Sequence, residues 1–149
     1  MRRKSFDDVS CAVARSLDVI GDWWSLLIVR DALNGIRRFK DFERSLGLAK
    51  NILTTRLKAL VAHGILEIVP ASDGSAYKEY APTEKGLKLF PVIIALSQWG
   101  SEFLFDPSDS KTCPLDARDR QPLHRMRVLS SDGRELGPSD ITSVITKEA

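Results

Sequence analysis

The chain is short of the residues on which most site chemistry depends. Only two cysteines, Cys11 and Cys113, occur among its 149 residues, which excludes a disulfide framework and a four-cysteine zinc site. Only two histidines are present, His63 and His124, and His63 is explained as a helix end. Nothing in the chain matches a nucleophile elbow, a phosphate-binding loop or a zinc motif. No enzymatic activity, no metal and no cofactor are therefore expected. Long apolar runs are missing too. The longest are far too short to span a bilayer, so no membrane partner is expected. The stretch Met1-Arg2-Arg3-Lys4-Ser5-Phe6-Asp7-Asp8 is basic without an apolar run behind it, unlike a secretion signal, and a cytoplasmic location is the expectation. No internal repeat is visible. What remains is an ordinary globular composition. The length suits one domain with an appendage and can bury a core unaided.

A net charge of +2 says little about partners, but its distribution says more. Seven cations (Arg37, Arg38, Lys40, Arg44, Lys50, Arg56, Lys58) face two anions (Asp41, Glu43) between Asn34 and Leu60. Positive charge gathered on one protruding element is the footprint of a polyanion partner, although a solvated helix face would look similar. The same segment carries a helical period. Phe39, Phe42 and Leu46 share one face of a helix over about 38–46, and Gly47 supplies a turn. Leu53, Leu57, Leu60 and Val61 share one face of a second helix over about 49–63, ended at His63-Gly64. The opposite face of that second helix shows Lys50, Asn51, Thr54, Thr55 and Lys58. Two short helices joined at a glycine, the second wet with amides, hydroxyls and cations, are the pattern of a helix-turn-helix.

The surroundings extend this reading. Residues 1–9 form a loose arm, and a helix is expected from about Cys11 to Ile20, with Val13, Leu17 and Ile20 on one side. A second helix over 22–33, apolar almost all round, is expected to be the central core helix. After Gly64 the period changes to alternation. Leu66-Glu67-Ile68-Val69 and Tyr77-Lys78-Glu79-Tyr80 read as strands around the turn-rich loop 70–76, a hairpin placed where a winged helix has its wing. Thr83-Glu84 then caps a long helix to about Phe105, interrupted by Pro91 and Gly100. Between Lys88 and Glu102 that helix has no charge, more apolar surface than one face can bury, so a second subunit is expected against it. The fold class expected is mainly α with a small β-hairpin wing (α+β): a winged helix-turn-helix dimerising through its N- and C-terminal helices. Residues 1–105 form the DNA-binding and dimerisation domain and 106–149 a C-terminal extension. That extension opens on a linker over 106–112. A small hairpin follows over 123–136, turning at Asp132-Gly133, then a helical turn at Ser139-Asp140. The last few residues are expected to fray.

The stretches Leu17-Asp18-Val19-Ile20-Gly21-Asp22-Trp23-Trp24, Arg38-Phe39-Lys40-Asp41-Phe42, Gly47-Leu48-Ala49-Lys50-Asn51-Ile52-Leu53-Thr54-Thr55-Arg56-Leu57 and Tyr80-Ala81-Pro82-Thr83-Glu84-Lys85-Gly86 resemble the HxlR-type winged-helix transcriptional regulators, relatives of the MarR group. The resemblance spans about Cys11 to Phe105. It implies a homodimeric, cytoplasmic, bacterial-type DNA-binding regulator, expected here to be a repressor. The chain departs from the family's usual pattern at Ala12, where a proline is frequent, and at Pro82-Thr83, where Leu-Thr is frequent. Its wing, 71–75, has no arginine, which leaves Lys78 at the base as a phosphate contact.

On a helix lying in the major groove, Asn51 can pair with adenine N6 and N7 and Lys50 can reach guanine O6 and N7. Thr54 and Thr55 can meet a phosphate or a thymine methyl. Arg37, Arg38, Lys40, Arg56 and Lys58 suit phosphates, which position without specifying. Asn51 as a helix cap and Arg56 as an internal ion pair are the alternatives. Two copies related by a two-fold axis would read an inverted-repeat operator in double-stranded DNA. Cys11 is the candidate redox sensor: a helix start and Arg15 one turn on favour a thiolate, and some relatives sense electrophiles or oxidants at this position. Its oxidation would join it to a thiol of the partner subunit or to Cys113. The alternative is a small buried side chain. Trp23, Trp24, Phe90, Trp99 and Phe103 are candidates for a cleft between subunits that takes a small aromatic or electrophilic effector, or for core packing. The competing function is a winged-helix protein-interaction module without DNA binding.

Overall fold

The computed structural model describes residues 4–147. Met1 to Arg3 of the expected arm, and the last two of the residues expected to fray, lie outside the described residues. The elements in order are α1 (Ala12–Ile20), α2 (Ser25–Leu33), α3 (Phe39–Leu46), α4 (Lys50–Ala62), β1 (Leu66–Pro70), β2 (Lys78–Pro82), α5 (Glu84–Leu87), α6 (Phe90–Phe103) and a short 3-10 turn (Pro138–Asp140). The chain divides into two compact units, Met1–Ile93 and Ile94–Ala149.

The first unit is the winged helix. Its core is Ile28, Val29 and Ala32 from α2, Phe42 from α3, Leu48 from the turn, Leu53, Leu57 and Leu60 from α4, and Ile65 and Leu66 entering β1. Burying each of these larger side chains contributes about 1.5–3 kcal/mol, so the helix-turn-helix is held by its apolar faces and the outer face of α4 is free to vary. Gly47 ends α3 in the left-handed region, φ 64°, a conformation that any side chain with a Cβ resists. This lets α4 follow α3 after only three residues, 47–49. The hairpin is antiparallel, with Leu66 opposite Pro82 and Pro70 opposite Lys78.

Two expected helices differ from what is observed. The helix expected over 22–33 starts only at Ser25. The Asp22 carboxylate accepts the backbone N–H groups of Trp24 (3.1 Å) and Ser25 (2.9 Å) and the Ser25 hydroxyl (2.5 Å). Asp22–Trp24 is therefore a capping turn, and Trp23 stands out from it, 87% exposed. The long helix expected from Thr83 to Phe105 is two helices, α5 and α6, with a break at Lys88-Leu89 just before Pro91, while Gly100 lies within α6. Pro91 has no N–H to donate to the preceding turn and its ring crowds the carbonyl four residues back, so it fits the first turn of α6 and ends α5. The cap at Thr83 is as expected: its hydroxyl accepts the Gly86 N–H at 3.1 Å. Gly86 is also a point of close approach, since a Cβ there would lie 2.2 Å from the Ile65 carbonyl oxygen.

The second unit joins the later turns of α6 to the extension. The Gln98 amide donates to the His124 carbonyl (2.9 Å) and accepts the Met126 N–H (2.6 Å), as a strand neighbour would. Arg125 pairs with Glu102 at 3.1 Å, and Lys111 donates to the Ser101 carbonyl at 2.9 Å. The expected hairpin is an Asp132-Gly133 turn closed by one bridge, Leu129 to Glu135. Its Gly133 has φ 91°. Met126, Val128 and Leu129 are exposed. A pair of strands with no face to bury is marginal, which is why the ladder stops at one bridge.

Candidate nucleic-acid interface

The outer face of α4 follows from its inner one. With Leu53, Leu57 and Leu60 buried, Lys50, Asn51, Thr55 and Lys58 are exposed and Thr54 is half-buried. The N-cap, Ala49, makes no side-chain cap, so Asn51 is not spent as one and its amide makes no hydrogen bond with a described residue. The threonines are less free. Thr54 donates to the Lys50 carbonyl (2.7 Å) and Thr55 to the Asn51 carbonyl (2.9 Å). A hydroxyl whose proton is held by the preceding turn retains lone pairs and a methyl group. That suits a base amino group or a thymine methyl better than a phosphate oxygen, which needs a donor. Ile52, 41% exposed, stands one residue before the inward-facing Leu53. The sequence reading left it out, although an isoleucine that the core stripe does not require was a signal for an apolar contact on this face.

The cations separate into two groups. Lys40, Lys50, Lys58 and Lys78 are exposed and make no ion pair with a described residue. The arginines are engaged inside the unit. Arg37 donates from Nη1 to the carbonyls of Ala32 (2.6 Å) and Ile36 (3.0 Å), closing the end of α2. Arg56 pairs through Nε with Asp22 at 3.4 Å, the internal partner that was its alternative. This ties α4 to the capping turn of α2. Burial alone would raise the Asp22 pKa. The hydrogen bonds from Ser25 and Trp24, with the Arg56 charge, outweigh it and hold the carboxyl below its ordinary value.

Arg38 holds the wing. Its Nη2 donates to Asp73 at 2.5 Å, and its Nε lies 3.9 Å from the buried Glu79. The guanidinium carbon stands 5.2 Å from the centre of the Tyr77 ring. Glu79 in turn accepts the Ser72 N–H at 2.7 Å, and Asp73 accepts the Ser75 N–H at 2.9 Å. Hydrogen bonds from Ser75, then from Arg38, push the Asp73 carboxyl far below the usual carboxylate range, and the Asp73 hydrogen bond raises Arg38. Asp73, Tyr77 and Glu79 are thus wing residues that sequence reasoning missed, because their partner lies 35 or more positions upstream.

Cys11 is exposed in the single chain and occupies the N-cap of α1. Arg15 donates from Nε to the Val9 carbonyl at 2.6 Å. Cys113 is exposed too. Of the five aromatic side chains, Trp24 packs on the core, while Trp23, Phe90, Trp99 and Phe103 are exposed. The rings of Trp99 and Phe103 lie 5.8 Å apart. Among the described residues, a cavity in each unit is lined by other residues. Among the described residues no helix is long and apolar enough to cross a membrane.

Comparison with known proteins places this geometry. The pattern of the HxlR-like helix-turn-helix family matches residues 19–107. Rv3095 of Mycobacterium tuberculosis, an uncharacterised HTH-type transcriptional regulator, is 43% identical over 96 residues. The match covers 64% of this chain and 61% of that protein, so the chain spans less than two thirds of this relative's length. Among solved structures, the candidate transcription factor PA1607 superposes with a TM-score of 0.90 at 48% identity. It covers 95% of this chain and 99% of its own, so the likeness takes in the extension. The redox regulator HypR in its reduced form superposes at 0.57 with 30% identity, over 62% of this chain and 92% of its own.

Proposed function

The chain belongs to the HxlR-like helix-turn-helix family, and from that premise we propose that it is a homodimeric transcriptional regulator acting as a repressor. It reads an inverted repeat in double-stranded DNA, with α4 in the major groove. Residues 1–105 bind DNA and form the dimer, and 106–149 extend it. The observation that carries this reading is the outer face of α4, where Lys50, Asn51 and Lys58 are exposed with no described partner. Exposed donors on a protruding helix match base edges and phosphates. A protein-binding face would instead show large apolar anchors, and this one offers only Ile52. Lys40 and Lys78 contribute phosphate contacts. Arg37, Arg38 and Arg56 support the site by holding α2, the wing and α4. Fluorescence anisotropy with DNA from the protein's own upstream intergenic region tests the reading. Lys50→Glu with Lys58→Glu is expected to abolish binding at moderate salt. Undiminished binding would overturn it in favour of a protein-interaction module.

Cys11 is the proposed point of regulation, because it is exposed at a helix N-cap and a family neighbour is a redox regulator. Two thiols, one of them Cys11, would lose two electrons and two protons to an added oxidant such as diamide, forming a disulfide. The expected outcome is that diamide shifts the DNA affinity of the wild type and leaves Cys11→Ser unchanged. Equal responses would remove Cys11 from the mechanism.

A further inference from the structure

A cavity of about 250 Å3 in the first unit has no part in DNA reading. It lies among α1, Ile65 and the α5 region. Its lining is apolar at Val19, Ile20, Ile65 and Leu89 and polar at Arg15, Ser16 and Lys85. The Ser16 hydroxyl is turned to the Ala12 carbonyl at 2.8 Å, which leaves the two cations as the polar features. Each is held in place by a neutral acceptor. Arg15 donates from Nε to Val9 (2.6 Å), and Lys85 donates from Nζ to the His63 carbonyl (2.6 Å). Neither has a carboxylate partner among the described residues. Neighbouring acids are engaged elsewhere: Glu84 with Lys88 at 3.6 Å, and Asp18 with the Phe6 N–H at 2.5 Å.

Carbonyl oxygens orient these donors but do not neutralise them. Two uncompensated cations beside an apolar wall are complementary to an anionic head on an apolar body. The Nη groups of Arg15 form no hydrogen bond with a described residue, leaving the planar fork that matches a carboxylate. The volume is below the roughly 300–1,000 Å3 of pockets for drug-sized ligands, so it suits a single ring or a short chain. We propose that this cavity binds a small apolar monocarboxylic acid, its carboxylate between Arg15 and Lys85 and its ring or chain on Val19, Ile20, Ile65 and Leu89.

Lys85 links the site to α4. His63 is the C-cap of α4, and a cation there favours the negative end of the helix. A bound carboxylate shares that cation and so acts on the end of the DNA-reading helix. This effector role rests on the DNA-binding reading above, while the binding site itself does not. By linkage, the factor by which the acid changes DNA affinity equals the factor by which DNA changes acid affinity.

The full-length protein is titrated calorimetrically with benzoate and hexanoate and with the neutral probes benzyl alcohol and hexanol. At least one acid is expected to bind saturably, about tenfold or more tighter than its neutral mate, as a charge-assisted contact requires. Arg15→Gln and Lys85→Gln are each expected to lose about that factor, and Val19→Phe, which fills the cavity, to abolish binding. Should Lys85→Gln unfold through loss of the α4 contact, Arg15→Gln on the exposed side of α1 decides alone. The proposal is overturned if neither acid binds saturably, if acids and neutral mates bind alike, or if Arg15→Gln binds as the wild type does. Acid binding with no change in DNA affinity removes the effector role and leaves the site. Loss of all DNA binding removes the regulator reading, and the calorimetry still decides the site.

Discussion

Lys50, Asn51 and Lys58 carry hydrogen-bonding capacity that no described residue uses, and the three should fail differently when removed. An amide that reads a base edge specifies, whereas an ammonium on a phosphate positions. Asn51→Ala is expected to cost about 1–3 kcal/mol on the operator and to relax the preference at one base pair of each half-site. Lys58→Ala is expected to weaken all sequences alike and to reduce the slope of log K against log salt by about 0.9 per subunit. Anisotropy titrations on the operator and on single-base variants at several salt concentrations check both. If the two variants lost affinity uniformly, Asn51 would not be a base reader. Asp22 is one residue through which pH enters stability. Burial opposes its ionisation, but the Ser25 and Trp24 hydrogen bonds and the Arg56 charge depress its pKa below 3.8. A depressed carboxylate stabilises the fold above its unfolded value and loses that contribution as pH falls through the folded value. Asp22→Asn is therefore expected to be less stable at neutral pH and to lose less stability on acidification. Chemical unfolding from neutral pH to well below 3.8 measures this, and parallel acid limbs for the two proteins would contradict it.

The wing and the helix-turn-helix are coupled as elements by one arginine at the N-cap of α3. Arg38 reaches Asp73, Glu79 and the Tyr77 ring, so its effect on DNA binding can be direct or through the wing. Asp73→Asn separates the two. If Arg38 acts by holding the wing, Arg38→Gln and Asp73→Asn both speed hydrogen exchange over residues 72–77 and weaken DNA binding together, with little change in Tm. If Arg38 meets a phosphate, Asp73→Asn frees it and binding strengthens. We expect the first outcome. The Arg38 contacts were not legible in the sequence, where the cations between Asn34 and Leu60 read mainly as DNA-facing, with an internal ion pair as the alternative for Arg56. The lysines kept that role open, while Arg37, Arg38 and Arg56 found partners that lie close only after folding. Local order was legible. α3 and α4 fall within a residue of their expected limits because a 3.6-residue apolar period and a positive-φ glycine act over short range. The start of α2 was missed because one carboxylate overrode a continuous apolar pattern, whereas of the two interruptions expected in the long helix, Pro91 marks a break and Gly100 does not.

At the scale of the whole molecule, the proposed dimer would cover apolar side chains that the single chain leaves exposed. Val13 and Leu17 of α1 are exposed, as are Phe90, Val92, Leu96, Trp99 and Phe103 of α6. Large exposed apolar surface marks interaction sites, and the commonest closed solution is a two-fold contact in which the same patch serves both copies. In the proposed dimer that symmetry would call for two inverted half-sites with centres about 10 bp, or a multiple of that, apart. Leu96→Asp tests the link between surface and function. Because Leu96 is half exposed in the single chain, the charge is expected to spare the monomer fold, seen as unchanged far-ultraviolet circular dichroism. It should convert the dimer to a monomer in sedimentation velocity. The variant should then bind an inverted repeat no more tightly than an isolated half-site, and lose the wild type's dependence on half-site spacing. A monomeric variant that kept that dependence would place the two-fold contact elsewhere on the chain, and a variant that stayed dimeric would exclude this face of α6 from it.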